Sequence, residues 1–185
     1  MVTDKAIFLD RDGIINRAVV LDRKPYAATR LKEVFVVEGI KDLIKRWHDE
    51  NYLVIVLSNQ PDIANHVVSK SKVDKINNYL KSQVLFDDVF VCPHNDKDNC
   101  DCRKPKTGLF MQAVQKYPIN FSKSYVIGDR WRDIESGNAV GCKTIFVDYD
   151  YNEKKPENPD IIVKKVSDID KIWSFINDKN IRRRG

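Results

Sequence analysis

Short apolar runs alternate along the chain with longer stretches in which apolar residues recur every three or four positions. The short runs predict buried strands at residues 6–9, 52–57, 88–91, 124–127 and 143–147. The longer stretches predict amphipathic helices at residues 39–50, 69–83, 107–117, 133–140 and about 168–177. Strands that alternate with helices are typical of α/β proteins, so the pattern predicts a doubly wound parallel sheet.

The segment 17–37 follows neither periodicity, and no helix or strand is predicted in it. Because long loops at the edge of a parallel sheet often bind ligands, we expect this segment to help form a binding site. No repeat or shift in composition divides the chain. We therefore expect one domain over residues 1–179, followed by a basic tail at 180–185.

The composition, 42% apolar and 32% charged over 185 residues, is that of a soluble globular protein. The net charge of +5 suits an anionic substrate, but the basic residues are scattered, so no nucleic-acid binding is expected. No signal peptide is visible, and the longest apolar run, residues 53–57, is too short to span a membrane. We expect a monomeric, cytoplasmic protein without disulfides that makes no membrane contact.

Two acids, Asp10 and Asp12, follow the first predicted strand, and Gly13 then allows a sharp turn. Ligands bind outside the carboxyl ends of the strands in open parallel sheets. Mg²⁺ prefers carboxylate oxygens and often shares its ligand shell with phosphate, so the pair predicts a magnesium site. A solvated Asp-rich turn is the alternative interpretation.

Further polar residues follow other predicted strands. Ser58, Asn59 and Gln60 could donate hydrogen bonds to phosphate, or could cap the next segment. Asp129 follows the fourth strand as a third carboxylate for the metal. Asp133 either holds a water of the metal's shell or is the N-cap of the next helix.

Two adjacent basic residues, Arg103 and Lys104, follow the third strand. An arginine presents a planar fork to a phosphate, whereas a lysine presents a compact charge that could lie beside Asp10. A carboxylate that attacks a phosphate dianion meets like-charge repulsion. A metal and a lysine would offset that repulsion.

Three cysteines and a histidine lie within one short segment: Cys92, His94, Cys100 and Cys102. Thiolate and imidazole groups, four in all, match a tetrahedral Zn²⁺ with no open position, which predicts a structural zinc. Chance clustering and redox-active thiols are the alternatives. Such a site would hold Arg103 and Lys104 at the active edge. Cys142 is expected to be an ordinary core residue.

These motifs, in this order and spacing, resemble those of the haloacid dehalogenase (HAD) phosphatases. The resemblance covers nearly the whole chain and implies that Asp10 is a nucleophile and Asp12 a general acid and then base. It also implies that Mg²⁺ is held by the Asp10 carboxylate, the Asp12 main-chain carbonyl and Asp129. Ser58 and Lys104 would bind the transferring phosphoryl group, with Asn59, Gln60, Arg103 and Arg130 as substrate contacts.

The cysteine-rich segment is similar to that of a zinc-containing, capless subfamily. This group holds the D-glycero-D-manno-heptose-1,7-bisphosphate 7-phosphatases and the histidinol-phosphate phosphatases. The stretches at residues 60–64 and 106–109 resemble the heptose enzymes more, so a heptose bisphosphate is the expected substrate. Two departures, Asn65-His66 and Arg130, fall at positions implied to contact substrate.

Three alternatives remain open at this point. The chain could be a histidinol-phosphate phosphatase, or a nucleic-acid 3′-phosphatase, because some of those enzymes share the Arg-Lys-Pro motif. It could also be a zinc-stabilised nucleic-acid-binding module without catalysis, which would bind in a strongly salt-dependent way.

Overall fold

A computed structural model describes residues 4–182 of the chain. Its centre is a six-stranded, wholly parallel sheet in the order β5-β4-β1-β6-β7-β8. The strands of this sheet are β1 (Ala6–Leu9), β4 (Leu53–Asn59), β5 (Asp88–Cys92), β6 (Tyr125–Gly128), β7 (Lys143–Val147) and β8 (Ile161–Val163). The helices are α1 (Ile40–Asp49), α2 (Lys70–Val84), α3 (Gly108–Lys116), α4 (Trp131–Val140) and α5 (Ser167–Arg182).

Strand β1 is the first to be made and lies at the middle of the sheet. Phe8 pairs with Ile55 of β4 on one side and with Val126 of β6 on the other. The chain therefore builds outward from β1 to β5, returns, and builds outward again to β8. Ligands bind at such a switch point in parallel sheets, here beyond Leu9.

Alternate residues of the central strands supply two separate apolar cores. In β1, Ile7 and Leu9 join the core that contains Trp47 of α1 and Trp173 of α5. Their neighbour Phe8 joins the opposite core, where its ring packs edge-on against Phe110 of α3 at 4.9 Å between centroids. Because side chains alternate along a strand, the sheet is buried on both faces, and the predicted α/β fold is confirmed.

The structure differs from the predicted elements in four places. The segment 17–37 contains an antiparallel hairpin, β2 (Val19–Leu21) and β3 (Lys24–Tyr26), and β8 was not predicted. Helix α4 begins at Trp131, so Asp133 lies in its first turn and is not its N-cap. Helix α5 continues through Arg182, so the expected tail is helical at 180–182, and 183–185 lie outside the described residues.

Within residues 4–182, no helix is long and apolar enough to cross a membrane.

Candidate active site and metal cluster

A buried lysine joins two carboxylates at the carboxyl edge of the sheet. The Lys104 ammonium lies 2.8 Å from Oδ1 of Asp10 and 2.6 Å from Oδ1 of Asp133. It also donates to the Leu57 carbonyl in β4, so the lysine reaches the edge of β1 from the loop after β5. Its side chain is only 3% exposed. Burial lowers the pKa of Lys104, but the two carboxylates outweigh burial, and the net shift is upward. The ammonium therefore stays charged.

A third carboxylate, Asp129, is buried directly after β6. Neither of its oxygens accepts a hydrogen bond of normal geometry. The Tyr151 phenol nevertheless interacts with it closely enough to have its own pKa raised, an effect second to that of burial. Burial raises the pKa of Asp129 well above its usual value, and Asp10 and Asp133 add to the effect.

The three carboxylates form one group. Asp10, Asp129 and Asp133 each offer an oxygen, and these oxygens lie within 4.8 Å of one another. Burial raises the pKa of Asp10 to about 6, with Lys104 opposing the shift and Asp133 and Asp12 contributing to it. One lysine faces three acids, and the oxygens of Asp129 lack hydrogen bonds. This donor set fits a divalent cation, because hard cations take several carboxylate oxygens and supply the missing positive charge.

Gly13 makes room for Asp129. A Cβ atom added at Gly13 would lie 1.9 Å from Oδ2 of Asp129, and the glycine has a φ of +100°. Both observations require glycine, since an L side chain is strained at this φ and would occupy the carboxylate's space. The tight turn after β1 is thus shaped around the acid that follows β6.

Asp12 does not join the carboxylate group; its side chain is held by a separate set of donors. Its Oδ1 accepts hydrogen bonds from the Asn16 amide and the Ala28 N–H, at 3.0 and 3.1 Å. Its Oδ2 accepts one from the Gln60 amide at 2.9 Å and is paired with Arg11 at 2.8 Å. The carboxylate lines the same small pocket as Asp10 and Lys104, and its orientation is fixed.

The polar residues at the end of β4 mostly bind protein groups. The Gln60 amide also donates to the Ser58 hydroxyl at 2.9 Å, so it joins Ser58 to Asp12. The Asn59 amide makes two hydrogen bonds of 3.1 Å with the backbone N–H and carbonyl of Lys104. Asn59 therefore fixes the backbone of Lys104. The sequence analysis predicted Asn59 as a substrate contact and did not predict this structural role.

Of the two arginines predicted to contact substrate, only Arg130 lines the small pocket that contains Asp10, Asp12 and Lys104, which is the candidate catalytic pocket. The Arg103 side chain instead faces the cysteine-rich segment, where it donates to Asp96 at 2.9 Å and to the His94 carbonyl at 3.2 Å. Arg132, which was not predicted, lines the pocket and lies 3.1 Å from the same Asp96 carboxylate. Arg130 is paired with Glu153, at 2.9 Å from its Nε.

The cysteine-rich segment brings its four predicted ligands together. Their donor atoms all lie within 4.8 Å of one another, and the contacts run from 3.1 Å (Cys92 to Cys102) to 3.7 Å (Cys92 to His94 Nδ1). Ligands at about 2.3 Å for sulfur and about 2.0 Å for nitrogen around one tetrahedral metal lie roughly 3.5–3.8 Å apart. The cluster could therefore hold a metal in which every ligand comes from the protein.

Comparison with known proteins identifies the family. Residues 101–169 match the family model described as HAD-hydrolase-like. A D-glycero-alpha-D-manno-heptose-1,7-bisphosphate 7-phosphatase from Campylobacter jejuni is 29% identical over 182 residues, 96% of this chain and 98% of that protein. A D-glycero-beta-D-manno-heptose-1,7-bisphosphate 7-phosphatase from Helicobacter pylori is 34% identical over 144 residues, 74% of this chain and 79% of that protein. The chain belongs to the HAD phosphatases, with the heptose-bisphosphate 7-phosphatases as its relatives.

Solved structures of HAD phosphatases share the fold. The D,D-heptose 1,7-bisphosphate phosphatase of B. bronchiseptica, crystallised with magnesium and phosphate, has a TM-score of 0.78 at 23% identity, covering 91% of this chain and 97% of that chain. A second such phosphatase, from Burkholderia thailandensis, has a TM-score of 0.58 at 18% identity and covers 88% of this chain and 94% of that chain. The predicted HAD family and fold are confirmed, and the chain is a phosphoric monoester hydrolase.

Sequence reasoning missed two residues around this HAD site. These are Arg132, which lines the candidate catalytic pocket, and Tyr151, which lies beside Asp129. The segment 17–37 was expected to help form a binding site, and its residues Pro25, Tyr26 and Ala27 do line the pocket. The available signal for Arg132 was its place in the first turn after Asp129, two residues beyond Arg130. Tyr151 follows the end of β7 by four residues, and its position gave no comparable signal.

Proposed function

We propose that this phosphatase removes the 7-phosphate of D-glycero-D-manno-heptose 1,7-bisphosphate, a sugar phosphate, through an aspartyl-phosphate on Asp10. The observation that carries the proposal is the buried Lys104 between Asp10 and Asp133, with the hydrogen-bond-deficient Asp129 beside them. The names of the relatives support the choice of substrate. A bound divalent cation would offset the excess negative charge of three acids around one lysine and would allow an anionic substrate to approach.

In the first step an Asp10 oxygen attacks the 7-phosphorus, and the bond from phosphorus to the sugar oxygen breaks. Asp12 gives its proton to the departing sugar oxygen, which leaves as an alcohol. In the second step Asp12 takes a proton from water. The resulting hydroxide forms a bond to phosphorus, and the bond from phosphorus to Asp10 breaks. Inorganic phosphate and free Asp10 are the products.

The hydrogen bonds of Asp12 fix the direction of its carboxylate beside Asp10. The Gln60 amide and the Asn16 amide fix its two oxygens, so its orientation does not depend on substrate. Ser58, held by the same Gln60 amide, and Lys104 would bind the transferring phosphoryl oxygens. Donors that are fixed before the reaction stabilise developing charge without the cost of reorientation.

Magnesium would be held by the Asp10 carboxylate, the Asp12 main-chain carbonyl and Asp129, with Asp133 close by. When bound, it would neutralise charge on the phosphate oxygens and so reduce their repulsion of Asp10. Zinc would be held by Cys92, His94, Cys100 and Cys102, where the lack of an open position makes its role structural. Its loop leads directly into Lys104.

The second phosphate of the substrate would be bound by Arg130 and Arg132. Two guanidiniums, Arg103 and Arg132, share the single carboxylate of Asp96, which leaves an excess of positive charge beside the pocket. Arg132 is further fixed by its stacking on the Trp131 ring, at 4.6 Å from the centroid. We assign Arg103 to the support of the metal loop.

Phosphate release from a panel of substrates tests this function. The panel contains both anomers of the heptose 1,7-bisphosphate, the heptose 7-phosphate, histidinol phosphate and a 3′-phosphorylated oligonucleotide. The heptose bisphosphate should have the highest kcat/KM. Preference for histidinol phosphate or the oligonucleotide would overturn the substrate assignment and leave the phosphatase assignment intact.

A variant of the nucleophile tests the mechanism. Asp10→Asn should lower kcat by at least about 10⁴-fold, because the amide cannot form the phospho-enzyme. Zinc content should be unchanged. Asp49→Asn, at an exposed acid on α1, is the matched control and should retain full activity. Near-normal turnover by Asp10→Asn would rule out the assigned nucleophile.

A further inference from the structure

A second cavity, much larger than the catalytic pocket, lies beside the turn that follows β1. Its volume is about 520 Å³, against about 40 Å³ for the catalytic pocket, and the two share no lining residue. Its walls come from the β2–β3 hairpin, the loop after β7 and the residues that precede α1 and α5. Cavities of this size hold small organic ligands.

Two tyrosines supply an aromatic wall. The rings of Tyr149 and Tyr151 both line the cavity, with centroids 5.7 Å apart and planes inclined at 47°. Val20, Val37 and Val166 complete an apolar surface. Such a surface accepts a flat ring, since a nucleobase stacked on an aromatic side chain contributes about 1–3 kcal/mol.

The charged side chains of the cavity are unevenly paired. Arg23 and Asp150 form an exposed ion pair of 2.7 Å that joins the hairpin to the loop after β7. Arg17 and Lys165, both exposed, have no ion-pair partner among the described side chains of residues 4–176, and neither does Glu38. Two unpaired cations suit a phosphate, and a carboxylate suits the hydroxyl groups of a ribose.

The cavity and the catalytic loop have a wall in common. The Tyr149 hydroxyl donates to the Gly13 carbonyl at 3.0 Å, and Gly13 is the residue shaped around Asp129. Tyr151, from the same wall, interacts with Asp129 itself. A ligand stacked on these rings would therefore contact the two tyrosines that themselves contact Gly13, after β1, and Asp129, after β6.

We propose that this cavity is a binding site for a nucleoside phosphate, separate from the catalytic pocket. The base stacks on one of the two inclined rings, Tyr149 or Tyr151, and its edge contacts the other. Glu38 accepts hydrogen bonds from the ribose hydroxyls, and Arg17 and Lys165 bind the phosphate. The site requires no chemistry from the catalytic residues. Its existence does not depend on which sugar phosphate the enzyme hydrolyses.

Equilibrium binding of AMP, measured calorimetrically on the full chain, tests the site. The measurement uses the Asp10→Asn chain so that AMP is not hydrolysed. One AMP should bind per chain, about tenfold or more tighter than adenosine or inorganic phosphate alone, because both halves of the ligand are recognised. Absence of saturable binding by AMP, ADP and GMP at millimolar concentration would overturn the proposal.

Variants then locate the bound nucleotide. Lys165→Gln and Arg17→Gln should each weaken AMP binding by about fivefold or more, as expected for the loss of a charged hydrogen bond. Lys171→Gln, at an exposed lysine of α5, is the matched control and should change AMP binding by less than about twofold, since Lys171 pairs with Asp168 outside the cavity. A loss of binding with Arg132→Gln, and none with Lys165→Gln, would assign AMP to the catalytic pocket and refute the second site.

Discussion

At the residue scale, the Asp129 carboxylate lies against Gly13, where any side chain on residue 13 would overlap it. The missing side chain of Gly13 leaves the volume that the Asp129 carboxylate fills. Gly13→Ala should displace that carboxylate and lower kcat/KM by about 100-fold or more, because an active-site acid misplaced by an ångström loses this much. Steady-state kinetics on the heptose bisphosphate measures the effect.

Gly141→Ala is the control for backbone strain. Gly141 has a φ of +82°, similar in kind to that of Gly13, but an added Cβ would meet no atom within 4 Å. This variant should lose about 1 kcal/mol of unfolding free energy and keep its activity. Equal kinetic losses in the two variants would show that strain, and not the displaced carboxylate, matters at Gly13.

Arg132 should affect the binding of substrate and not the chemical step. Arg132→Gln should raise KM for the heptose bisphosphate by about tenfold or more, with kcat nearly unchanged, because a charged hydrogen bond to the distant phosphate is lost. KM for the heptose 7-phosphate, which lacks that phosphate, should stay the same. An equal change for both substrates would refute the assignment.

A second cation near the Trp131 ring provides the matched control. The Lys154 ammonium also lies over this ring, at 4.7 Å from the centroid, and pairs with Glu135 at 2.7 Å. It does not line the catalytic pocket. Lys154→Gln should therefore leave both KM values within about twofold of normal.

At the element scale, the zinc that we propose would hold the cysteine-rich loop together. Cys100→Ser should lower the zinc content below one ion per chain and reduce Tm by about 5 °C or more, since metal binding is coupled to folding. Cys142→Ser is the control: this thiol is buried among apolar groups, and burial raises its pKa to about 12. The Cys142→Ser variant should still bind one zinc ion per chain. One zinc ion per chain in Cys100→Ser would refute the assigned ligand set.

The loop after β7 is held by a carboxylate between two lysines. Burial opposes the shift, but hydrogen bonds from Lys155 and Lys164 prevail and lower the pKa of Asp148 to about 2. Because the pKa of Asp148 is lower in the folded chain than in the unfolded chain, the ion pairs stabilise the fold fully at a pH above about 4. This stabilisation is lost as the pH falls from about 4 toward 2. Since both lysines are largely exposed, the contribution at neutral pH is about 1 kcal/mol.

Asp148→Asn makes that contribution measurable. At pH 7 the variant should be about 1 kcal/mol less stable than the native chain in denaturant unfolding, and the difference should shrink between pH 4 and pH 2. A difference that did not depend on pH over this range would mean that Asp148 acts through its shape and not through its charge.

At the scale of the whole molecule, α5 closes one core through an aromatic cluster. Trp173 is fully buried, with its ring 5.0 Å from that of Tyr125 and 5.6 Å from that of Trp47. Trp173→Ala should cost about 3–5 kcal/mol of unfolding free energy. Phe175→Ala, at a ring that is 72% exposed on the same helix, should cost less than about 0.5 kcal/mol. Urea denaturation compares them.

The sequence predicted the sheet well because each central strand is an apolar run followed directly by a polar residue. It missed the β2–β3 hairpin because the strands have three residues each and the turn residues, Asp22 and Arg23, carry positive φ without the usual Asn-Gly signal. The sequence also predicted that Arg103 contacts substrate, whereas its side chain faces the cysteine-rich segment. The direction of that side chain depends on Asp96 and on the approach of Arg132 from α4, which no local pattern contains.

The central place of β1 has a consequence for synthesis on the ribosome. One side of β1 is covered soon by β4, but the other stays open until Tyr125–Gly128 has been made, on the order of ten seconds later. During that interval the nascent chain exposes an unpaired strand edge, which is a template for aggregation. Slow translation upstream of β6 should therefore lower the soluble yield, even though the finished enzyme is identical.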